Sequence, residues 1–393
     1  MKVAIYSGSI PGPTFIENLI KFLPRDDFKI FLFGNKIPGT KYLRKNIFLY
    51  HTPNNWIIRF VFVLGYLVRL LFTKPHRLIK LLNYYFKLKK EKNLGFIIWF
   101  SKVLPVVSHL PDVFHIQWAK ALPSWMFLKE LYGIKIVLSL RGSHIIYSPL
   151  ADKNLSRDYK LNFPLVDRFH TVCNNIKSRA VNYGAKEKNI QIIYSAIDIN
   201  NLKKFNKTQW GSKKGFNLLS VGRFHWVKGY RYVLQIIREL LDEDYHIKYK
   251  IISNNKPSEE FLYQISDLSL DKCVDIYYPK IQDDVYKEMQ KSDCLILPSI
   301  SEGIANVVLE AMGIGLPVIS SDCGGMSEVV DDGVNGFLYR NRDLVDIKNK
   351  IIMMLNMNDY HREEIAKNAK LRIEEKFTIK KFQMEFKTFY ERI

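Results

Sequence analysis

Short apolar runs rich in Val, Ile and Phe alternate along the chain with segments whose apolar positions return at helical spacing. This is the pattern of buried parallel strands separated by helices. In the first half the runs are Val3–Ser7, Lys29–Phe33, Val113–Gln117, Lys135–Leu140, Phe169–Cys173 and Ile190–Tyr194. In the second half they are Phe216–Val221, Lys248–Ile252, Val274–Tyr278, Cys294–Leu297, Pro317–Ser320 and Gly336–Tyr339. Two doubly wound α/β domains follow, which suits 393 residues, more than one hydrophobic core usually organises.

Between the two sets lies Asn200–Gly215, polar, basic and without apolar periodicity, the expected linker. The expected division is therefore 1–199 for the first domain, 200–215 for the linker and 216–375 for the second domain, with a C-terminal helix over 376–393. In the tail, Phe377, Phe382, Phe386 and Tyr390 stand at near-helical spacing, an apolar face that could pack on either domain.

One stretch breaks the pattern. Trp56–Phe72 is almost entirely apolar, interrupted by Arg59 and Arg69, and Lys74–Lys92 carries seven Lys or Arg against one acid, Glu91. Two arginines inside seventeen residues make a membrane-spanning helix costly. Two readings fit 56–92: inserted helices that close the first domain's core, or an interfacial helix beside a basic run that touches an anionic membrane surface.

Charge narrows the partners. Lys and Arg number 59 against 39 Asp and Glu, a formal +20, so something anionic is expected to bind. The sign alone does not separate nucleic acid, an anionic membrane and phosphorylated substrates. Four scattered cysteines, Cys173, Cys273, Cys294 and Cys323, show no metal-ligand or CxxC spacing. They read as structural thiols in a reduced compartment. MKVAIYSGSI enters a strand without the apolar stretch of a signal peptide, which predicts a cytoplasmic location.

Three strand-to-helix turns carry candidate chemistry, because ligands of open α/β sheets bind at strand ends. After Val221-Gly222, Arg223 and Lys228 can project as diphosphate-binding cations, though solvated loop charges would look the same. After Pro298, Glu302 precedes a helix whose first amides, around Gly303, Ile304, Asn306 and Val307, form an anion-binding terminus. Glu310 lies farther along that helix, where a carboxylate can accept hydrogen bonds from hydroxyls. In the first domain, Gly8 to Gly12 lets backbone approach a ligand, and Thr14 with Glu17 has capping-box spacing; a plain turn explains the same letters.

The order of these segments resembles retaining glycosyltransferase family 4, the glycosyl transferases group 1. Val221-Gly-Arg223 with Lys228-Gly229 is similar to that family's first donor motif. Glu302-Gly through Asn306 to Glu310-Ala-Met is similar to its EX7E motif, and Gly315 through Glu328 with Asp332-Gly-Val-Asn-Gly336 to the segment that follows. About 120 residues agree in order and spacing. The first half resembles the family more loosely, at Pro11–Ile20 and at Asp112-Val-Phe-His115. Where many members carry a histidine-glycine pair ending in aspartate, this chain has Arg141-Gly-Ser-His144.

The resemblance implies a GT-B fold, two Rossmann-like domains facing across a cleft, and transfer of a sugar from a UDP- or GDP-sugar with retention of anomeric configuration. It places Arg223, Lys228, Gly12 and the amides from Gly303 to Val307 on the donor, Glu310 on its ribose and Glu302 at the reacting sugar. Arg141 is expected near donor sugar or acceptor, and His115 is a further catalytic candidate. No cofactor and no metal are expected, because the cations can neutralise the diphosphate. The expected acceptor is a saccharide, polyprenyl-diphosphate-linked if 56–92 touches the inner leaflet, in capsule, O-antigen or exopolysaccharide assembly. The enzyme would then be peripheral on the inner face of the cell membrane, with no nucleic-acid partner. Two rivals are a non-catalytic basic membrane- or nucleic-acid-binding protein and a sugar-nucleotide epimerase; neither accounts for the Arg-Lys pair followed by the two glutamates.

Overall fold

A computed structural model describes residues 1–89, 95–207 and 215–393. The chain forms two compact units, the first Met1–Thr171, Lys177–Ile193 and Gln383–Ile393, the second Val172–Ile176 and Tyr194–Phe382.

Unit 1 holds a seven-stranded sheet of β1 (Lys2–Ile10), β2 (Lys29–Lys36), β3 (Ile47–His51), β4 (Val113–Ile116), β5 (Lys135–Leu140), β6 (Arg168–Thr171) and β7 (Ile190–Ile192). The order is β3-β2-β1-β4-β5-β6-β7 and every pairing is parallel. Helices α1 (Thr14–Phe22), α2 (Trp56–Thr73), α3 (Pro75–Lys89) and α4 (Phe96–His109) fall between its early strands. The central strands read as continuous apolar runs because both faces are covered: Val3, Ala4, Val113, Phe114, Ile136 and Val137 are all buried. Edge strand β3 had no counterpart in the sequence reading. Its Ile47-Phe48-Leu49-Tyr50 run is apolar but short, and every position in the strand is exposed or half-buried.

Unit 2 repeats the plan with β8 (Phe216–Val221), β9 (Ile247–Ile252), β10 (Val274–Tyr277), β11 (Cys294–Leu297), β12 (Val318–Asp322) and β13 (Phe337–Arg340). They pair in parallel in the order β10-β9-β8-β11-β12-β13. Strand order reverses direction between β8 and β11, which makes the carboxyl ends of these two strands the crevice of an open α/β sheet. Two apolar clusters flank the sheet, one around Leu309, Met312 and Val318, the other around Val233, Ile237 and Ile251.

The division differs from the sequence-based one at both ends of unit 2. The stretch expected to be a linker belongs to unit 2 up to residue 207, since Leu202 and Phe205 enter its core and the Lys207 amide donates to the Ile314 carbonyl at 3.0 Å. Its residues 208–214 lie outside those described, as do 90–94, which include the last part of the basic run. The tail is two helices, Asp359–Lys376 and Ile379–Glu391. Ile365, Ala369 and Ile373 of the former are buried, whereas the last turns of the latter belong to unit 1.

A hydrogen-bonded chain fastens those last turns. His115 Nδ1 meets the Tyr390 hydroxyl at 2.7 Å and His115 Nε2 meets Ser139 Oγ at 2.7 Å. Ser139 Oγ meets His170 Nδ1 at 2.8 Å, and His170 Nε2 lies 3.0 Å from the Ile193 carbonyl. Burial, with the neighbouring His170 and Arg141, holds the His115 imidazole well below its ordinary pKa; burial and then Arg141 bring His170 down to about 3. Both rings are therefore neutral, and the directions follow from the carbonyl end. His170 Nε2–H donates to Ile193, Ser139 donates to His170, His115 Nε2–H donates to Ser139, and Tyr390 donates to His115.

Candidate active site

The site in unit 2 is assembled from three neighbouring strand ends, and glycines let their loops touch. After β8, a short turn Trp226–Lys228 ends at Gly229, whose φ is +65°. A Cβ there would fall 1.9 Å from the Pro298 carbonyl oxygen, so only glycine lets this loop lie on the one that follows β11. The Ile300 amide donating to the Val227 carbonyl at 2.7 Å closes the same contact. The loop after β12 repeats the device. Gly324, at φ +63°, would place a Cβ 1.8 Å from the Glu302 carbonyl oxygen, and the Gly325 amide donates to the Gly303 carbonyl at 2.7 Å.

This packing delivers Lys228 to Glu302. Lys228 Nζ lies 2.6 Å from Glu302 Oε1, the two side chains only 19% and 16% exposed, and the buried Ser299 hydroxyl donates to the same oxygen at 2.8 Å. With little water to screen them, the charges interact strongly, and a dianion entering the site can compete for Lys228. Arg223 is exposed at the end of β8 and forms no hydrogen bond or ion pair among the described residues.

The helix Asn306–Ile314 begins without a side-chain cap. The first-turn amides of Asn306 and Val307 are therefore open to solvent or a ligand. Ile304 and Val307 turn their side chains against the core, so these two positions can offer a ligand only backbone. Glu310 accepts from Gln282 Nε2 at 3.3 Å; burial raises its carboxyl to about 7, although the nearby Tyr286 hydroxyl opposes the rise. Gln282 and Tyr286 were not foreseen from sequence, because the hydrogen-bonded pair is 28 positions apart and the helix Gln282–Lys291 carries no motif.

The remaining candidates lie in unit 1. Arg141, at the end of β5, donates through Nη2 to Gln117 Oε1 at 2.8 Å and sits over the Phe15 ring, 4.7 Å from its centre. Burial lowers its guanidinium to about 9. The Gln117 amide nitrogen is buried without a partner among the described residues, so the carboxyl end of this sheet presents a weakly compensated cation and a spare donor. His115 is fully buried on central strand β4 with both nitrogens engaged. This corrects the catalytic expectation for it: its place is a core hydrogen-bond node. The Gly12 amide donates to Glu17 Oε1 at 2.7 Å. The Tyr42 hydroxyl holds that carboxylate as well, and no capping box forms at Thr14.

Residues 202–372 match the family described as glycosyl transferases group 1. The chain is 25% identical over 287 residues to N-acetyl-alpha-D-glucosaminyl L-malate synthase of Bacillus anthracis, covering 71% of this chain and 74% of that one. It is 26% identical over 312 residues to N,N'-diacetylbacillosaminyl-diphospho-undecaprenol alpha-1,3-N-acetylgalactosaminyltransferase of Campylobacter jejuni, covering 75% and 76%. Among solved structures, Anabaena HepE, in complex with UDP and with UDP-glucose, superimposes with a TM-score of 0.72 over the whole of both chains; identity is 19% with the UDP complex and 18% with the UDP-glucose complex. Residues 202–372 thus belong to the glycosyl transferases group 1, and with the GT-B fold around them the chain is a glycosyltransferase.

Proposed function

We propose that this glycosyltransferase moves a sugar from a UDP- or GDP-sugar, with retention of anomeric configuration, onto a saccharide carried by a polyprenyl diphosphate in bacterial surface-polysaccharide assembly. The observation that carries the reading is the Lys228–Glu302 pair at the point where strand order reverses, beside a helix start with open amides. Lys228, Arg223 and those amides bind the donor diphosphate and stabilise the charge that grows on it as the sugar–oxygen bond breaks. The acceptor hydroxyl attacks the face the diphosphate leaves, and its proton passes to a diphosphate oxygen. Glu302, released from Lys228, faces the sugar, while Glu310 accepts from the ribose hydroxyls. Arg141, just beyond the carboxyl end of β5 in unit 1, serves the donor sugar or acceptor. The cations take the charge-neutralising role, so the reaction needs no metal. The Campylobacter relative supports the lipid-linked acceptor through the diphospho-undecaprenol in its name, and the Anabaena complexes support a UDP donor.

The test is a thermal-shift panel of UDP, GDP, UDP-glucose, UDP-N-acetylglucosamine, UDP-galactose and GDP-mannose on wild type and Lys228→Met, followed by transfer assays and the anomeric coupling of the product. One donor at 100 times its Kd should stabilise the wild type by about 2.7 kcal/mol and the variant hardly at all. Full turnover in folded Lys228→Met would sink the site, and an inverted product would sink retention.

A further inference from the structure

Helix α2 turns its apolar face away from the protein. Ile57, Val61, Leu64, Val68 and Leu71 follow the spacing of one helical stripe and are 46–72% exposed, with Trp56, Phe60 and Phe72 alongside at 51–81%. Only Val63 and Leu70 of the helix are buried, and the Arg59 guanidinium turns back to donate to the Pro53 carbonyl. A surface amphipathic helix ordinarily does the reverse, with its apolar stripe inward. The exposed side chains amount to on the order of 1,000 Å² of apolar surface, beyond the few hundred that a soluble monomer usually shows.

Length alone would let α2 cross a bilayer, since 18 residues rise about 27 Å. Its attachments forbid that. Strand β3, in the sheet, precedes it, and α3 follows after the single residue Lys74, with Leu78, Leu81 and Tyr85 buried in the same unit. A crossing would separate elements that pack together, so the helix can only lie along a surface.

The surroundings state the chemistry of that surface. Between residues 28 and 111 the chain has fifteen Lys and Arg and one acid, Glu91. Exposed Arg69 on α2 and Lys80 and Lys87 on α3 have no carboxylate partner among the described residues. Two copies of such a face would set cations against cations, whereas an anionic bilayer offers both an apolar interior and opposite charge.

We propose that unit 1 docks on an anionic lipid bilayer through α2, which lies in the plane of the interface with Ile57, Val61, Leu64, Val68 and Leu71 in the acyl boundary. This stands on unit 1 and does not rest on the transfer reaction. The test is sedimentation of the full chain with vesicles of phosphatidylcholine alone or with about one third phosphatidylglycerol, comparing wild type with a Leu64→Glu/Val68→Glu variant. Both positions are exposed, so the variant should melt as wild type does. Wild type should sediment with the anionic vesicles and the variant about tenfold less or weaker still, with wild-type binding falling as salt rises. Three outcomes would overturn the proposal: equal sedimentation of the folded variant, no preference of wild type for anionic over neutral vesicles, or a vesicle-free dimer that the variant converts to monomer, which would assign the face to a second copy.

Discussion

The contact between Gly324 and Glu302 can be tested by adding one methyl group. In Gly324→Ala the new carbon would stand 1.8 Å from the Glu302 carbonyl oxygen and 2.7 Å from its carbon, where 3.0 Å is already tighter than real side chains tolerate. One loop must therefore shift by about 1.2 Å or more, and the carbonyl that moves belongs to the residue carrying the Lys228 and Ser299 contacts. A displacement near 1 Å in a catalytic constellation lowers the rate about 100-fold, or roughly 2.7 kcal/mol of transition-state stabilisation. Alanine at φ +63° adds a backbone strain of about 1–2 kcal/mol. Gly333 supplies the control, because it has φ +76° and nothing within 4 Å of where a Cβ would be. Gly333→Ala should lower the melting temperature by only a few degrees and keep its activity. Initial rates at varied donor concentration, with circular dichroism melts of both variants, separate strain from steric displacement. Folded Gly324→Ala with kcat/KM within about threefold of wild type, or equal losses in the two variants, would refute the reasoning.

Two further outcomes follow. Burial raises the Glu310 carboxyl to about 7, and ribose hydroxyls favour its ionised form. Binding therefore releases a proton at and below that pH, and nucleotide affinity should fall as pH drops below 7, by up to about tenfold per unit. Calorimetry between pH 6 and 8 checks this: Glu310→Gln should remove the slope, and a flat wild-type profile would exclude the ribose assignment. Tyr390→Phe leaves buried His115 Nδ1 without its partner and should destabilise unit 1 by about 1–3 kcal/mol without changing the donor-induced thermal shift; an unchanged urea midpoint would contradict a stabilising role for this bond.

Most of the sheet was legible because parallel strands covered on both faces need uninterrupted apolar runs, as in Ile136–Leu138 and Cys294–Leu297, all buried. Strand β3 escaped although Ile47–Tyr50 is such a run, because four residues between polar stretches do not distinguish a strand from a loop. Lys228 and Glu302 could be named from motif resemblance, but their 2.6 Å pairing and the bond from Gln282 to Glu310 join positions 74 and 28 apart, which no local pattern links. His115 was misjudged for the same reason: Tyr390 and Ser139, which engage its two ring nitrogens, are partners that folding supplies.

What the sequence determined by itself was periodicity: where strands and helices lie, that two α/β units exist, and that Trp56–Phe72 is apolar beside a basic run. Periodicity is set by successive residues and survives reading in one dimension. Which way a face points depends on what the rest of the chain packs against it, and only the tertiary structure decided that. It turned the apolar stripe of α2 outward, assigned Gln383–Ile393 to unit 1, and set Gly229 and Gly324 against carbonyls 69 and 22 positions away. Contacts of that kind arise from the burial of the whole core, which selects one arrangement among the many that the same local elements allow.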